Sequence, residues 1–277
     1  MRKNFKRSAI LLSILLYFPV YSFSQEISEE NYSKLDKELW TTYEIESSKL
    51  SDCFKIHPEK RDSLMIVYNQ LKEIVDKKNH ENAVRFATVP SGLQRLFMLR
   101  LNFSKDTLLS IFKKLPLEMQ ASDYGKSLFQ HINLKQIEEG NKYYDFKAID
   151  SDGNKFQLSS LEGRYILLLY GGLNCIGDDG RAFLKQLCKE THPERFQIVV
   201  YWPCTGLEQL KEVKTQFLAD YIIVSDFLED HSLMKINYGA QARPTCFLID
   251  KEGTVIAKSV GLPDEKLTEL KGEKKFE

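Results

Sequence analysis

The chain has 277 residues, with 39 Lys+Arg against 39 Asp+Glu, 43% apolar residues, 28% charged residues and five cysteines. This is a globular composition and excludes disordered, collagen-like and densely disulfide-stapled classes. A formal charge of zero offers no basic stripe of the kind that gives nucleic-acid binding most of its affinity, so nucleic acid is not an expected partner.

At the start of the chain, Arg2, Lys3, Lys6 and Arg7 precede an apolar run from Ala9 to Phe23, and Ser22-Phe23-Ser24 puts small residues at a cleavage-type spacing before Gln25. That order reads as a signal peptide over residues 1–24. The run is short for a bilayer span and is broken by Ser13 and Pro19, so a retained anchor is not expected, and no nearby cysteine offers a lipid attachment point. Removing residues 1–24 takes four basic side chains and no acidic one, leaving a mildly acidic chain with no stable membrane span. It is expected to be soluble, periplasmic or secreted, in a compartment where a cysteine pair persists as a disulfide. An odd number of cysteines leaves at least one free or joined to another molecule.

Residues 25–138 read as an all-α N-terminal domain, because apolar residues recur at three and four. Tyr32, Leu35, Leu39 and Tyr43 mark one stripe, Leu64, Val67, Tyr68, Leu71 and Val75 a second, and Leu93, Leu96, Phe97 and Leu101 a third. Ser104 is placed to cap a helix running through Leu108 and Phe112 that Pro116 stops, and Tyr124, Leu128 and Ile132 continue the pattern. Near Gly140 the period changes, and residues 139–277 read as a second domain. Tyr144 to Ile149 and Lys155 to Leu158 flank the turn Ser151-Asp152-Gly153-Asn154. Three apolar strands follow, Tyr165 to Tyr170, Phe196 to Trp202 and Tyr221 to Val224, separated by helix-length segments, and the runs are apolar on both faces. A hairpin from Thr245 to Asp250 and Val255 to Ser259, then a short helix from Pro263, complete an α/β unit with a mixed central sheet and flanking helices.

Cys175 follows the central strand in Tyr170-Gly171-Gly172-Leu173-Asn174-Cys175-Ile176-Gly177-Asp178 and precedes an amphipathic segment bearing Phe183, Leu184 and Leu187. A thiol near a helix N-terminus meets unpaired amides and the positive end of the helix dipole, which favour the thiolate. A small buried cysteine without reactivity is the other reading of the same position.

Arg243-Pro244-Thr245 leads into the strand Cys246 to Asp250, and this stretch with Lys251-Glu252-Gly253 resembles the proline-threonine strand and hairpin of thioredoxin-like proteins. Asp145 to Gly153, Leu158 to Gly163 and the strand delivering Cys175 are similar to the secreted TlpA/ResA-like (AhpC/TSA-type) thiol-disulfide oxidoreductases over roughly residues 140–272. The resemblance implies a thioredoxin-like fold, a cis Pro244 facing Cys175, and a substrate-binding stretch, Arg243-Pro244-Thr245, whose backbone before the proline pairs with an extended substrate. From the residues alone, a trans proline opening an edge strand stands beside the cis reading.

The sequence departs from that family where its second cysteine belongs: Asp178 stands there, giving Cys-x-x-Asp. Without a resolving thiol a two-electron dithiol reductase is not expected, and the Asp178 charge opposes ionisation of its neighbour. Cys204 lies just past the next strand, so a Cys175–Cys204 bridge is conceivable if their Cα atoms approach within about 7 Å. Cys188 and Cys246 read as core residues, and Cys53 as the odd thiol. Gly172 replaces the Thr or Ser that peroxiredoxins place three residues before their thiol, and Asp179 the second cysteine of a Cys-x-x-x-Cys copper site. Cys188 and His192 are too few ligands for zinc, so no metal and no cofactor is expected. The reading is thiol-disulfide exchange with protein or small-molecule thiols and disulfides through Cys175, with Cys204 as a possible resolving group. The alternative is a redox-silent binding module.

Overall fold

A computed structural model describes residues 26–217 and 221–276. The expected signal peptide over residues 1–24 lies outside the described residues. Among the described residues no helix is long and apolar enough to cross a membrane. The chain divides into two compact units, one ending at Phe129 and the other beginning at Gln130. This division falls ahead of the change of period near Gly140. Residues past the last helix of the first segment already pair with the second unit: Ile137 N donates to Asn237 O at 2.8 Å, Gly140 N to Val255 O at 2.8 Å and Tyr143 N to Gly253 O at 3.0 Å.

The first unit is helical: α1 (Glu29–Ile56), α2 (Arg61–Arg85), α3 (Pro90–Met98), α4 (Lys105–Phe112) and α5 (Leu117–Ala121), with α6 (Asp123–Asn133) running across the division. The side chain of Ser28 caps α1 by accepting from Asn31 N at 3.2 Å, and Ser104 caps α4 by accepting from Thr107 N at 3.1 Å. Leu39, Leu50, Leu71 and Val75 form one core and Tyr32, Leu35 and Phe86 another, each fully buried aliphatic contributing about 1.5–3 kcal/mol. Asp36 ties α1 to α3 by accepting two bonds from Arg95 Nη2 at 3.0 Å, and it also takes the indole N–H of Trp40 at 3.1 Å. The third stripe fails at Leu101, which is exposed, because a 3₁₀ turn over Arg100–Asn102 interrupts the helical register and buries Arg100 instead.

The described residues of the second unit build a seven-stranded mixed sheet, in the order β2-β1-β5-β4-β3-β6-β7. Its strands are β1 (Lys147–Asp150), β2 (Lys155–Gln157), β3 (Tyr165–Tyr170), β4 (Phe196–Tyr201), β5 (Ile222–Ser225), β6 (Thr245–Ile249) and β7 (Val255–Val260). β3, β4 and β5 are parallel, while β6 runs antiparallel to β3 and β7 to β6. α7 (Gly177–Glu190), α8 (Leu207–Phe217), α9 (Leu233–Tyr238) and α10 (Asp264–Gly272) flank it. This is the thioredoxin-like arrangement that the resemblance implies. The sequence reading missed α9, a helix too short to show a period.

Side chains alternate across the sheet with period two. Leu167, Leu169, Ile198, Val200, Cys246 and Leu248 pack with Leu184 and Leu187 of α7, Leu210 and Val213 of α8, and Leu267 and Leu270 of α10. Ile166, Leu168, Tyr170, Val199, Tyr201, Phe247 and Ile249 pack on the other face with Phe146, Leu158, and Met234 and Tyr238 of α9. The continuous apolar runs exist because both faces are covered.

Cys246 lies fully buried in the first of these layers, and burial, with a smaller contribution from the Asp264 charge, pushes its thiol from an ordinary 9.0 up to about 12. The unfolded chain releases this proton near pH 9 and the folded chain holds it, so stability is unaffected below that pH and falls as pH rises toward 12. Cys246→Ala should flatten the decline of unfolding free energy over that window by about one proton's slope, measured by urea denaturation at stepped pH. Equal slopes in the two proteins would show that burial does not hold the thiol.

Candidate functional site

One edge of the sheet gathers the residues singled out by sequence. β3 ends at Tyr170 and β4 at Tyr201, which are neighbours in the parallel ladder, and Tyr170 faces Thr245 at the start of β6. Parallel strands thus deliver Gly171 to Cys175 and Trp202 to Cys204 to the edge where β6 receives the chain from Arg243-Pro244. Open α/β sheets place their ligand sites at the carboxyl ends of strands, for the reason seen here: loops from neighbouring strands converge there.

The Arg243–Pro244 peptide is cis. Gly172 packs directly against it. A Cβ built on Gly172 would lie 2.2 Å from Pro244 N and 2.6 Å from the carbonyl carbon of Arg243, and Gly172 has φ +81°. Only glycine fits there, on both counts. The Gly172 carbonyl then accepts from Cys175 N at 2.8 Å and Ile176 N at 3.2 Å, closing a tight turn that holds Cys175 exposed. The helix begins just beyond, with Ile176 at its N-cap and Gly177 as its first residue. Cys175 therefore stands one position outside the cap.

Asp178 is fully in solvent, its side chain 99% exposed, and it forms an ion pair with Arg181 one turn along α7. Arg181 also donates from Nη1 to Leu173 O at 2.9 Å, so it braces the turn that carries Cys175. Sequence reading passed over Arg181. Its spacing of three from Asp178 is the signal that could have found it.

Cys204 reaches the same edge but is buried, and its thiol donates weakly to Gly206 O at 3.6 Å. The structure does not join it to Cys175 by a disulfide: Cys53 and Cys175 are exposed, Cys188 is half-buried, and Cys204 and Cys246 are buried. Thr245 is buried, and its hydroxyl donates to Ala242 O at 2.7 Å, so its side chain holds the turn before the strand. Pro244 O accepts from Gly261 N at 3.1 Å. Among the described residues the backbone N–H and C=O of Arg243 have no hydrogen-bond partner, which leaves an open pairing edge next to the proline. No group of three metal-ligating side chains occurs among the described residues.

Beneath this edge lies a polar network with no signature in the sequence. The buried Tyr201 hydroxyl donates to Asp226, whose other oxygen accepts from Ser232 Oγ at 2.6 Å, and Leu228 N donates to the Tyr201-facing oxygen at 3.0 Å. Burial, then the neighbouring Asp226 charge, pushes the Tyr201 phenol far above its ordinary range, so it remains a donor. The Tyr170 and Tyr201 rings stack, with centroids 5.9 Å apart. Tyr201 is on the side of the sheet that α9 covers, and the network fixes the ends of β4 and β5 that frame the site.

No protein-family model and no curated protein matches this sequence. Solved structures are similar over about half of it. The thioredoxin domain of a thiol-disulfide oxidoreductase from Bacteroides vulgatus is 19% identical, covering 50% of this chain and 99% of that one, with a TM-score of 0.44. A thiol-disulfide oxidoreductase from Bacteroides fragilis is 23% identical, covering 47% and 99%, with a TM-score of 0.43. A thiol:disulfide interchange protein from a Bacteroides species is 22% identical, covering 49% and 90%, with a TM-score of 0.41.

Gly172→Ala should destabilise the protein by more than the 1–2 kcal/mol that a left-handed conformation alone costs, about 3 kcal/mol in all, because the added methyl meets backbone rather than a movable side chain. Denaturant unfolding measures it. A loss under about 1 kcal/mol would mean that the turn and the proline separate easily.

Proposed function

We propose that this protein carries out thiol-disulfide exchange outside the cytoplasm, with Cys175 as a single attacking thiol. The observation that carries the reading is one sheet edge holding an exposed cysteine on a turn packed against a cis proline, beside the open backbone of Arg243. An extended partner segment pairing with Arg243 presents its sulfur to the Cys175 turn. The basic-then-apolar opening of the sequence supports the location, since such a segment directs export.

In the reaction the Cys175 thiolate attacks one sulfur of a partner disulfide. A new S–S bond forms to that sulfur, and the other partner sulfur leaves as a thiolate that takes up a proton. A second thiolate of the partner then attacks the mixed disulfide, makes a new disulfide with the partner sulfur and releases Cys175. No net electrons are transferred, so disulfide isomerisation suits a Cys-x-x-Asp site better than net reduction; removal of a small thiol from a protein suits it too when a second molecule of that thiol attacks the Cys175 mixed disulfide and leaves as the small disulfide. Cys204 can serve as the resolving group only by leaving its buried position. A redox-silent module that binds extended segments is the second reading, favoured by the exposed Asp178–Arg181 pair where a second thiol would stand.

Alkylation of the folded protein, followed by peptide mass mapping, should modify the exposed Cys175 and leave the buried Cys246 unmodified until unfolding. An inert Cys175 would favour the binding module. Cys175→Ser should abolish covalent trapping of a disulfide-bonded peptide. Asp178→Cys should raise insulin-disulfide reductase activity about tenfold or more, since it restores an exposed thiol three residues on. No gain there would show that something other than the missing thiol limits the site.

A further inference from the structure

The geometry points to Arg243 as an anion-recognising residue that makes this site select thiols and disulfides bearing a carboxylate close to sulfur. The inference rests on the exchange reading for its chemistry and on the following observations for its specificity. Arg243 is exposed at the mouth of the site. Its stem crosses Gly171, where a Cβ would lie 3.4 Å from Cδ and 3.6 Å from Cγ, and its guanidinium carbon sits 5.7 Å from the centre of the Tyr170 ring. Tyr170 is itself fixed, buried at the end of β3 and stacked on Tyr201. A guanidinium near a ring, with no hydrogen bond among the described residues, keeps its N–H groups for a ligand, and its planar fork matches a carboxylate bidentately.

Other polar groups of this part of the fold are already engaged. Arg181 is paired with Asp178, the buried Lys235 with Asp230, and both oxygens of Asp226 hold hydroxyls. Among the described residues Arg243 forms no ion pair. An exposed arginine that the fold orients but does not neutralise, on the residue whose backbone offers the pairing edge, presents its N–H groups to a negative group from solvent. The neighbouring turn sets the distance scale: the Arg243 carbonyl carbon lies against Gly172, whose own carbonyl holds the Cys175 amide. The backbone that carries the guanidinium is thus in contact with the turn that carries the thiol, and in this proposal a carboxylate a few bonds from the sulfur under attack meets the guanidinium. In the step itself, Cys175 thiolate displaces one carboxylate-bearing thiolate from the disulfide and keeps the other half as a mixed disulfide, with the released thiolate protonated by water.

The test measures the rate at which Cys175 of the full chain forms mixed disulfides, read by peptide-resolved mass spectrometry. The probes are dithiodiglycolate and its neutral counterpart hydroxyethyl disulfide, each rate normalised to that of free cysteine. The anionic-to-neutral ratio should exceed one, fall about tenfold in Arg243→Gln, recover in part in Arg243→Lys, and shrink with added salt. The same comparison with cystine-linked peptides carrying Glu or Gln beside the sulfur separates the two sources of the group: a preference confined to the small disulfides assigns a small acidic thiol, and one confined to the peptides an acidic protein segment. A ratio unchanged by Arg243→Gln in both arms overturns the inference while leaving exchange intact. If Cys175 reacts with no disulfide at all, the exchange reading fails, and titration of the Cys175→Ser protein with S-methylglutathione and its diester decides the rest. Binding of the acid alone, lost with Arg243→Gln, sustains anion recognition, and equal or absent binding of the two overturns it.

Discussion

The site depends on a backbone contact with no room for a side chain. Gly172 lies so close to the Arg243–Pro244 peptide that any Cβ would overlap it, and the carbonyl of the same glycine accepts the amides of Cys175 and Ile176. One residue therefore sets two relations: how near the thiol-bearing turn comes to the proline, and how that turn is folded. A larger residue at 172 would separate the two loops, and the edge where a partner could pair would no longer face an exposed sulfur.

Around that contact the second unit spends its polar groups on rigidity. Asp226 receives Tyr201, Ser232 and the Leu228 amide, Arg181 takes up Asp178 and Leu173 O, and Thr245 closes the turn from Ala242. Apart from the Asp178–Arg181 pair within α7, these bonds lie beyond the ends of strands, where the ladder stops and backbone and phenol groups need partners. Their combined effect is to fix the loops of the candidate site while leaving the thiol of Cys175 and the guanidinium of Arg243 exposed. The proposed activity and its selectivity both come from what the fold leaves open.

Much of this was legible in the sequence, for reasons visible in particular residues. β3 was read with the ends it has, because Tyr165 to Tyr170 is apolar on both faces and bounded by Gly163-Arg164 and Gly171-Gly172. The Ser104 cap followed from one hydroxyl ahead of an apolar stripe. Leu101 was misread because a 3₁₀ turn changes the register without changing composition. The backbone bonds of Ile137 to Asn237 in α9, and of Gly140 and Tyr143 to Val255 and Gly253 of the terminal hairpin, leave no apolar period in the sequence to read.

Sequence alone determined the strands of the central sheet, the longer helices and the motif Cys-x-x-Asp, since these are fixed by neighbours along the chain: period, breakers and spacing. Spacing singles out Cys175, Asp178 and Cys204, and the resemblance to thioredoxin-like proteins adds Arg243, Pro244 and Thr245. Only the tertiary structure decided which of them stay open to solvent. Cys175 and Asp178 are exposed, Cys204 and Thr245 are buried, and Arg243 lies over Tyr170 from a distant part of the chain. Burial and partnering are set by which strands lie side by side, and local spacing carries no record of that.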